Sequence, residues 1–482
     1  MSQRVNVGRS RDSLLWASIF FLHLVWALSM PLFSSPDEPA NFIKASAVVR
    51  GELVGENFPA NLQVSYWMTV VDIDPRFANV HSVPTCFAFK SDQPACSSPL
   101  EEFGPAEGKP ATNVGRYPPL APAIAGVGTV FGVSDASVIG ARVVLGATCS
   151  SLITLGIVAL RRRAVSGSAV LFALFPGTIF FGSTMSPSGL EIAGAIALWC
   201  GLLCLSDDTK DRVVSWAMLF GGIAVIGSRP IGFVVFGIIV VIAALANGRP
   251  WAMLKNHHRS FAAHTVAIFA MIVWYFVVYD AQSSSSLVVG TDGMSLSRQI
   301  THGIESIPRM IDESFGNFGW LDTPMPRLAL YLLIGLIASG MSIGLRRANS
   351  RTLGAIALAL VAVGSMVVVI DVNYYGLFRL FGVQGRHVAP IMVGAILIAT
   401  SRLTCRVVRD RVFAVSWALL VGWSAWAALR RYTVGIRPDN VFDMFSAPQW
   451  TPTLGLWPSL ALLMLAPLLV GFVVTMKPGR PS

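Results

Sequence analysis

Apolar residues fill most of this chain in long runs separated by short polar breaks, and the runs are long enough to cross hydrocarbon. Inside a bilayer each backbone N–H and C=O must be bonded within its own segment, so the runs predict helices. In order they fall near 14–33, 136–160, 164–183, 188–205, 213–228, 231–246, 261–279, 328–345, 351–370, 388–402, 412–429 and 454–475. The expected fold class is an all-α polytopic membrane protein with about 12 transmembrane helices. Residues 119–131 are apolar but short for a span and predict an interfacial or re-entrant helix. The short pairs around Ser186 and Arg229 leave open whether their breaks lie inside or outside the membrane.

One long polar stretch, 34–118, interrupts the pattern between the first and second spans. Loops of this length are rarely formless in a compact protein. Residues 40–54 have helical spacing and predict a juxtamembrane helix, whereas 84–110 is proline-rich and predicts irregular structure. The first run is longer than a secretory signal core and no small-residue cleavage site follows it, so an uncleaved first helix is expected.

Composition agrees with this pattern: 54% of residues are hydrophobic and 13% charged, against about 25% charged in soluble domains. The net charge of +10 comes from span ends, at Arg161-Arg162-Arg163, at Lys210 and Arg212, at Arg249, Lys255 and Arg259, at Arg346, Arg347 and Arg351, at Arg402, Arg406, Arg409 and Arg411, and at Lys477 and Arg480. The positive-inside rule makes these turns and both termini cytoplasmic, and the 34–118 loop extracytoplasmic. No basic and aromatic patch suggests nucleic acid. No internal repeat supports an inverted-repeat transporter. Phosphate-cradling and metal-ligand motifs are absent from the sequence.

Of six cysteines, Cys149, Cys200 and Cys204 lie in apolar runs as small hydrophobes, and Cys405 sits among arginines. Cys86 and Cys96 share the polar loop, where an oxidising compartment predicts a disulfide, the alternative being two free thiols.

The sharpest chemical feature is Pro36-Asp37-Glu38-Pro39-Ala40-Asn41-Phe42, where two acids stand at the far end of the first helix between two prolines that restrict their motion. A carboxylate so held suits a general base acting on an acceptor hydroxyl, while acids on this face of a membrane protein are otherwise ordinary. The motif resembles the acidic motif of the GT-C membrane glycosyltransferases, which use polyprenyl-phosphate-linked sugars. The protein O-mannosyltransferase branch has a similar Asp-Glu pair in its first outer loop. Across nearly its whole length the chain also resembles the bacterial membrane-protein family called domain of unknown function 2142. That resemblance is carried further by Arg116-Tyr117-Pro118-Pro119, Ser186-Pro187-Ser188-Gly189-Leu190-Glu191, Ser228-Arg229-Pro230, Gly319-Trp320-Leu321-Asp322 and Gln384-Gly385-Arg386-His387. It departs at Ser188, where the family usually has Asp, at His387, where it usually has Tyr, and near Asn41, where it usually has His.

The resemblance implies a single GT-C-like transmembrane domain over 1–482. It would move a sugar, with inversion, from a polyprenyl-phosphate carrier to an envelope glycan, lipid or protein, on the outer face of a bacterial cytoplasmic membrane. Asp37, or secondly Glu38, would be the catalytic base. Arg386 and Arg229 would hold the donor phosphate, since a guanidinium offers a planar fork of donors. For Arg386 a snorkelling anchor remains the alternative, and for Arg229 a loop charge or a pairing with an inner acid. Arg116, Tyr117, Trp320, Asp322, Gln384 and His387 would contact substrate, with Trp320 equally an interfacial belt residue. Arg142 and Glu191 are expected to pair with each other or to line the cavity, and His23 to be packed and hydrogen-bonded. No cofactor is certain from the sequence, and a divalent cation, which some GT-C enzymes use, stays open. The other functions open to the sequence are a transporter or flippase of lipid-linked saccharides and a non-catalytic subunit of an envelope assembly complex.

Overall fold

The computed structural model describes residues 2–57, 68–96, 99–104, 106–205, 211–248, 255, 257–279, 295–375, 384–437 and 441–476. Seven of its helices are long and apolar enough to cross a membrane. They are Ser10–Ser29 within α1 (Ser2–Ser29), α4 (Asp135–Arg162), His258–Tyr279 containing α10 (His258–Trp274), α12 (Arg327–Leu345), Ser350–Val372 within α13 (Ser350–Tyr375), α15 (Val407–Val434) and α17 (Leu456–Val474). Shorter apolar helices α7 (Pro187–Leu203), α8 (Arg212–Ser228), α9 (Gly232–Asn247) and α14 (Ala389–Thr400) complete the bundle. The protein is all-α and multi-pass, and the strands among the described residues are five two-residue pieces in loops.

Helix α7 is buried on every side and forms the centre, packed on α4, α8 and α14. α1 lies between α4 and α17, and α15 packs on α17. The run expected as one span over 164–183 is broken into α5 (Ser168–Leu171) and α6 (Pro176–Gly182). Pro176 disfavours helical geometry at Phe175, and the freed carbonyl of Leu174 accepts the indole N–H of Trp417 at 2.8 Å. The 119–131 segment is a short helix, α3 (Leu120–Gly126), running into a 3-10 turn (Val127–Phe131) that exposes Val127, Val130 and Phe131. Helix α11 (Leu296–Gly316) has no counterpart among the expected spans. It is amphipathic, with Ile307, Met310 and Ile311 turned to the core and Leu296, Ile300 and Ile304 exposed.

The bundle has two distinct ends. At one, Arg161 donates to the carbonyls of Val473 and Val474 at 2.9 Å, and Val165 bridges to Thr404 beside Arg409 and Asp410. Arg161 and Arg409 thus lie at this end, and Arg402 donates to the Arg347 carbonyl at 3.0 Å, while Lys210, Arg249, Lys477 and Arg480 lie outside the described residues. At the other end, α1 and α15 finish, α4, α7, α12 and α14 begin, and the polar loop is folded across them. Within that loop α2 (Glu38–Val48) follows α1 directly. A small sheet of β1 (Glu56–Asn57), β2 (Thr69–Val70) and β3 (Ala111–Thr112) packs alongside. Phe33, Phe42, Phe77 and Val80 give this layer its own apolar core. Cys86 and Cys96 form a disulfide, their Cα atoms 6.3 Å apart.

Candidate functional site

The acidic motif turns the chain from α1 into α2, and the turn sends its two carboxylates in opposite directions. Asp37 is the N-cap of α2 in the left-handed region (φ 60°), and its carbonyl accepts the Asn41 N–H at 2.8 Å. Aspartate tolerates this conformation better than most residues, and an off-region backbone held by its surroundings is characteristic of functional positions. Its side chain does not cap the helix. Instead Oδ2 accepts from Arg386 Nη2 at 2.9 Å and Oδ1 from Asn113 Nδ2 at 3.3 Å, with 36% of the side chain open to solvent.

Glu38 points inward and is fully buried. Arg142 Nε and Nη2 each donate to it at 2.8 Å, and the backbone N–H of Met185 adds a third bond at 3.0 Å. The same guanidinium donates to the carbonyls of Ala27 at 3.0 Å and Pro31 at 2.8 Å, and so ties down the frayed end of α1. Both oxygens of Glu38 are consumed by this clamp, which leaves Asp37 as the open carboxylate. Arg142 does not pair with Glu191: the latter meets Arg229, whose Nε lies 3.0 Å from Oε2, while Arg229 Nη2 bonds the Ser188 hydroxyl.

Arg386 occupies a 3-10 turn (Gly385–His387) that α11 holds in place. Gly385 N–H donates to Glu313 at 3.2 Å, and Ser314 donates to the Gly385 carbonyl at 2.7 Å. A Cβ at position 385 would stand 2.4 Å from the Ser314 nitrogen, so the close approach requires glycine. The Arg386 guanidinium sits 5.6 Å from the Phe181 ring centre and within electrostatic reach of Arg229 and Tyr117. His387 Nδ1 accepts the Gln384 N–H at 3.3 Å, and burial with the two neighbouring guanidiniums pushes its pKa well below the ordinary value, so it is neutral. Ser186 Oγ and Arg386 Nε are buried without a hydrogen-bond partner among the described residues.

The remaining expected contacts lie around this centre. Arg116 reaches Asn57 at 3.1 Å and its carbonyl accepts Trp274 Nε1 at 2.9 Å, while the Tyr117 ring lies 6.4 Å from that of Tyr279. Trp320 donates its indole N–H to the Phe33 carbonyl at 3.0 Å and meets Phe89 edge-on. Asp322 is engaged by Arg431 at 2.5 Å, a fully buried residue that the sequence reading passed over. Arg431 also donates to the carbonyls of Phe87, Lys90 and Gln93, and so straps the disulfide loop to the end of α15. Beside it Tyr432 bonds the Ser34 carbonyl at 2.6 Å, which connects the strap to the turn carrying Asp37. His23 is buried, bonded to Ser150 at 2.9 Å.

Among the described residues no three His, Cys, Asp or Glu side chains converge as metal ligands. Asp37 faces a guanidinium and an amide rather than further acids. This donor set does not fit a divalent cation, and no step is derived through one.

The fold and this polar end define a multi-pass helical membrane protein with a carboxylate–guanidinium cluster where the first span meets a folded loop. The chain belongs to the family described as Predicted membrane protein (DUF2142), which it matches over residues 20–395. No curated protein matches it. The crystal structure of ArnT from Cupriavidus metallidurans bound to undecaprenyl phosphate is 14% identical, with a TM-score of 0.44, over 97% of this chain and 77% of that one. The apo state of the same protein gives 14% and 0.43 over 97% and 76%. At this identity and superposition the likeness assigns no residue a role.

Proposed function

We propose that this protein is a GT-C-type membrane glycosyltransferase, which transfers a sugar from a polyprenyl-phosphate carrier to a cell-envelope acceptor at the extracytoplasmic face of a bacterial cytoplasmic membrane. The observation that carries the reading is the pairing of Asp37, open to solvent, with the buried guanidinium of Arg386, with Arg229 close by. A base and a cationic seat for a leaving phosphate are the two groups such a transfer needs side by side.

In the proposed step the acceptor hydroxyl gives its proton to Asp37 as its oxygen bonds the anomeric carbon. The bond from that carbon to the phosphate oxygen breaks on the opposite face. Its electron pair stays on the phosphate, held by Arg386 and Arg229, so the anomeric centre inverts. Glu38 takes no part in proton transfer and acts through the Arg142 clamp. Asp322 likewise acts through Arg431, and Trp320 by closing the loop over the end of α1. The test is transfer by purified protein in vesicles, given a panel of polyprenyl-phosphate sugars and an envelope extract. Sugar transferred to an acceptor supports the reading. Lipid-linked sugar carried across the vesicle membrane without transfer would replace it by a transporter.

A further inference from the structure

Arg386 is more than nine-tenths buried, yet it gives one charge-assisted hydrogen bond to Asp37 and leaves Nε unpartnered. In this state the carboxylate takes one N–H of the guanidinium that a phosphate would also use. It also holds Asp37 in an ion pair, where its oxygen is spent on Arg386. Base and phosphate seat are thus engaged with each other through one bond.

We infer that Asp37 and the phosphate of the lipid carrier compete for Arg386, so that donor binding is the event that releases the base. This rests on the glycosyltransferase reading and gives it an order: donor first, acceptor second. Three features of the site support an exchange. Asp37 is 36% exposed and has Asn113 as a second partner, so it can leave Arg386 without becoming an unpaired buried charge. Arg386 cannot leave, because its turn is fixed by Glu313 and Ser314 and its guanidinium lies against Phe181. Arg229 keeps its own carboxylate, Glu191, inside the bundle, so an arriving phosphate displaces one counter-ion rather than two. A site that binds acceptor first would meet an occupied base. One that binds donor first gains a free carboxylate beside the anomeric carbon.

The test is binding of a polyprenyl phosphate without sugar to the full chain in nanodiscs, for wild type, Asp37→Asn, Arg386→Gln and the double variant, each with a melting curve. Removing the competing carboxylate should tighten binding by about fivefold to tenfold, the range expected for one partly exposed charge-assisted bond. The gain should vanish in the Arg386→Gln background, because the pair is then already broken. A full gain that persists without Arg386 would mean simple charge repulsion and would overturn the competition. So would equal or weaker binding by Asp37→Asn when wild type binds. Absence of binding by all four proteins would remove the lipid-phosphate seat itself, and the exchange with it.

Discussion

Two carboxylates one residue apart, Asp37 and Glu38, each pair with an arginine, and the two pairs do opposite work. The inner pair, Glu38–Arg142, is fully buried, two-pronged and saturated by backbone groups from α1 and the turn before α7. The outer pair, Asp37–Arg386, has a single 2.9 Å contact and a carboxylate 36% open to solvent. Burial and saturation suit a clamp, and openness with an orphaned donor suits the proposed site. Position in the motif does not distinguish them; the left-handed turn at Asp37 does, because it sends consecutive side chains to different surroundings.

The comparison breaks first if the inner pair is dispensable. Arg142→Met leaves Glu38 as an uncompensated buried charge and should cost about 3–5 kcal/mol, read as a lower melting temperature and yield. A variant as stable as wild type would end the clamp assignment. Next comes the disulfide strap over the outer end. Removing it with Cys86→Ser and Cys96→Ser frees a loop of about ten residues, worth roughly 2–3 kcal/mol in chain entropy. Because Arg431 still ties the carbonyls of that loop, the loss should appear as faster hydrogen exchange in 86–96 ahead of global unfolding. Unchanged exchange there would show that Arg431 alone suffices. Arg386→Gln should change stability by less than about 1 kcal/mol, since Asp37 keeps access to water; a loss comparable to that of Arg142→Met would make the outer pair a clamp as well.

The smallest effect is a pH dependence. Burial lowers the pKa of His81 and of His387 from the ordinary value of 6.5. The unfolded chain therefore binds these protons at a pH where the native chain does not. Stability is complete above about pH 6.5 and falls as the pH drops below it. His387→Gln should flatten the acid side of a melting-temperature profile, and a profile unaltered by the substitution would remove His387 from the account.

Much of the fold was legible because hydrocarbon leaves the backbone few options: long apolar runs became helices. The disulfide was legible from two cysteines in a loop expected to lie outside the cytoplasm, and it is present. What the hydropathy pattern missed has physical causes. α11 has too many polar residues to register as apolar, although its apolar positions recur at helical spacing; a search for period rather than mean hydropathy would have found it. The break before Pro176 was signalled by the proline, but the indole of Trp417 that makes it tolerable comes from a distant helix. Partner choice was least legible. Arg142 and Glu191 were expected to pair with each other or to line the cavity, yet Arg142 joins Glu38 across 104 residues, and Glu191 joins Arg229, for which a pairing with an inner acid was one of the expected alternatives. Arg431 was passed over, and only the folded loop reveals the carbonyls it binds.

The most direct test of the central claim is sugar transfer per folded molecule in Asp37→Asn and Glu38→Gln, with folded protein quantified by size-exclusion profile and melting curve. The account predicts that Asp37→Asn folds as wild type but loses transfer by about a hundredfold or more, the range for loss of a general base. Glu38→Gln should lose stability while its folded fraction still transfers sugar at close to the wild-type rate. Full transfer by Asp37→Asn, or equal loss per folded molecule in both variants, would contradict the division between an open base and a buried clamp.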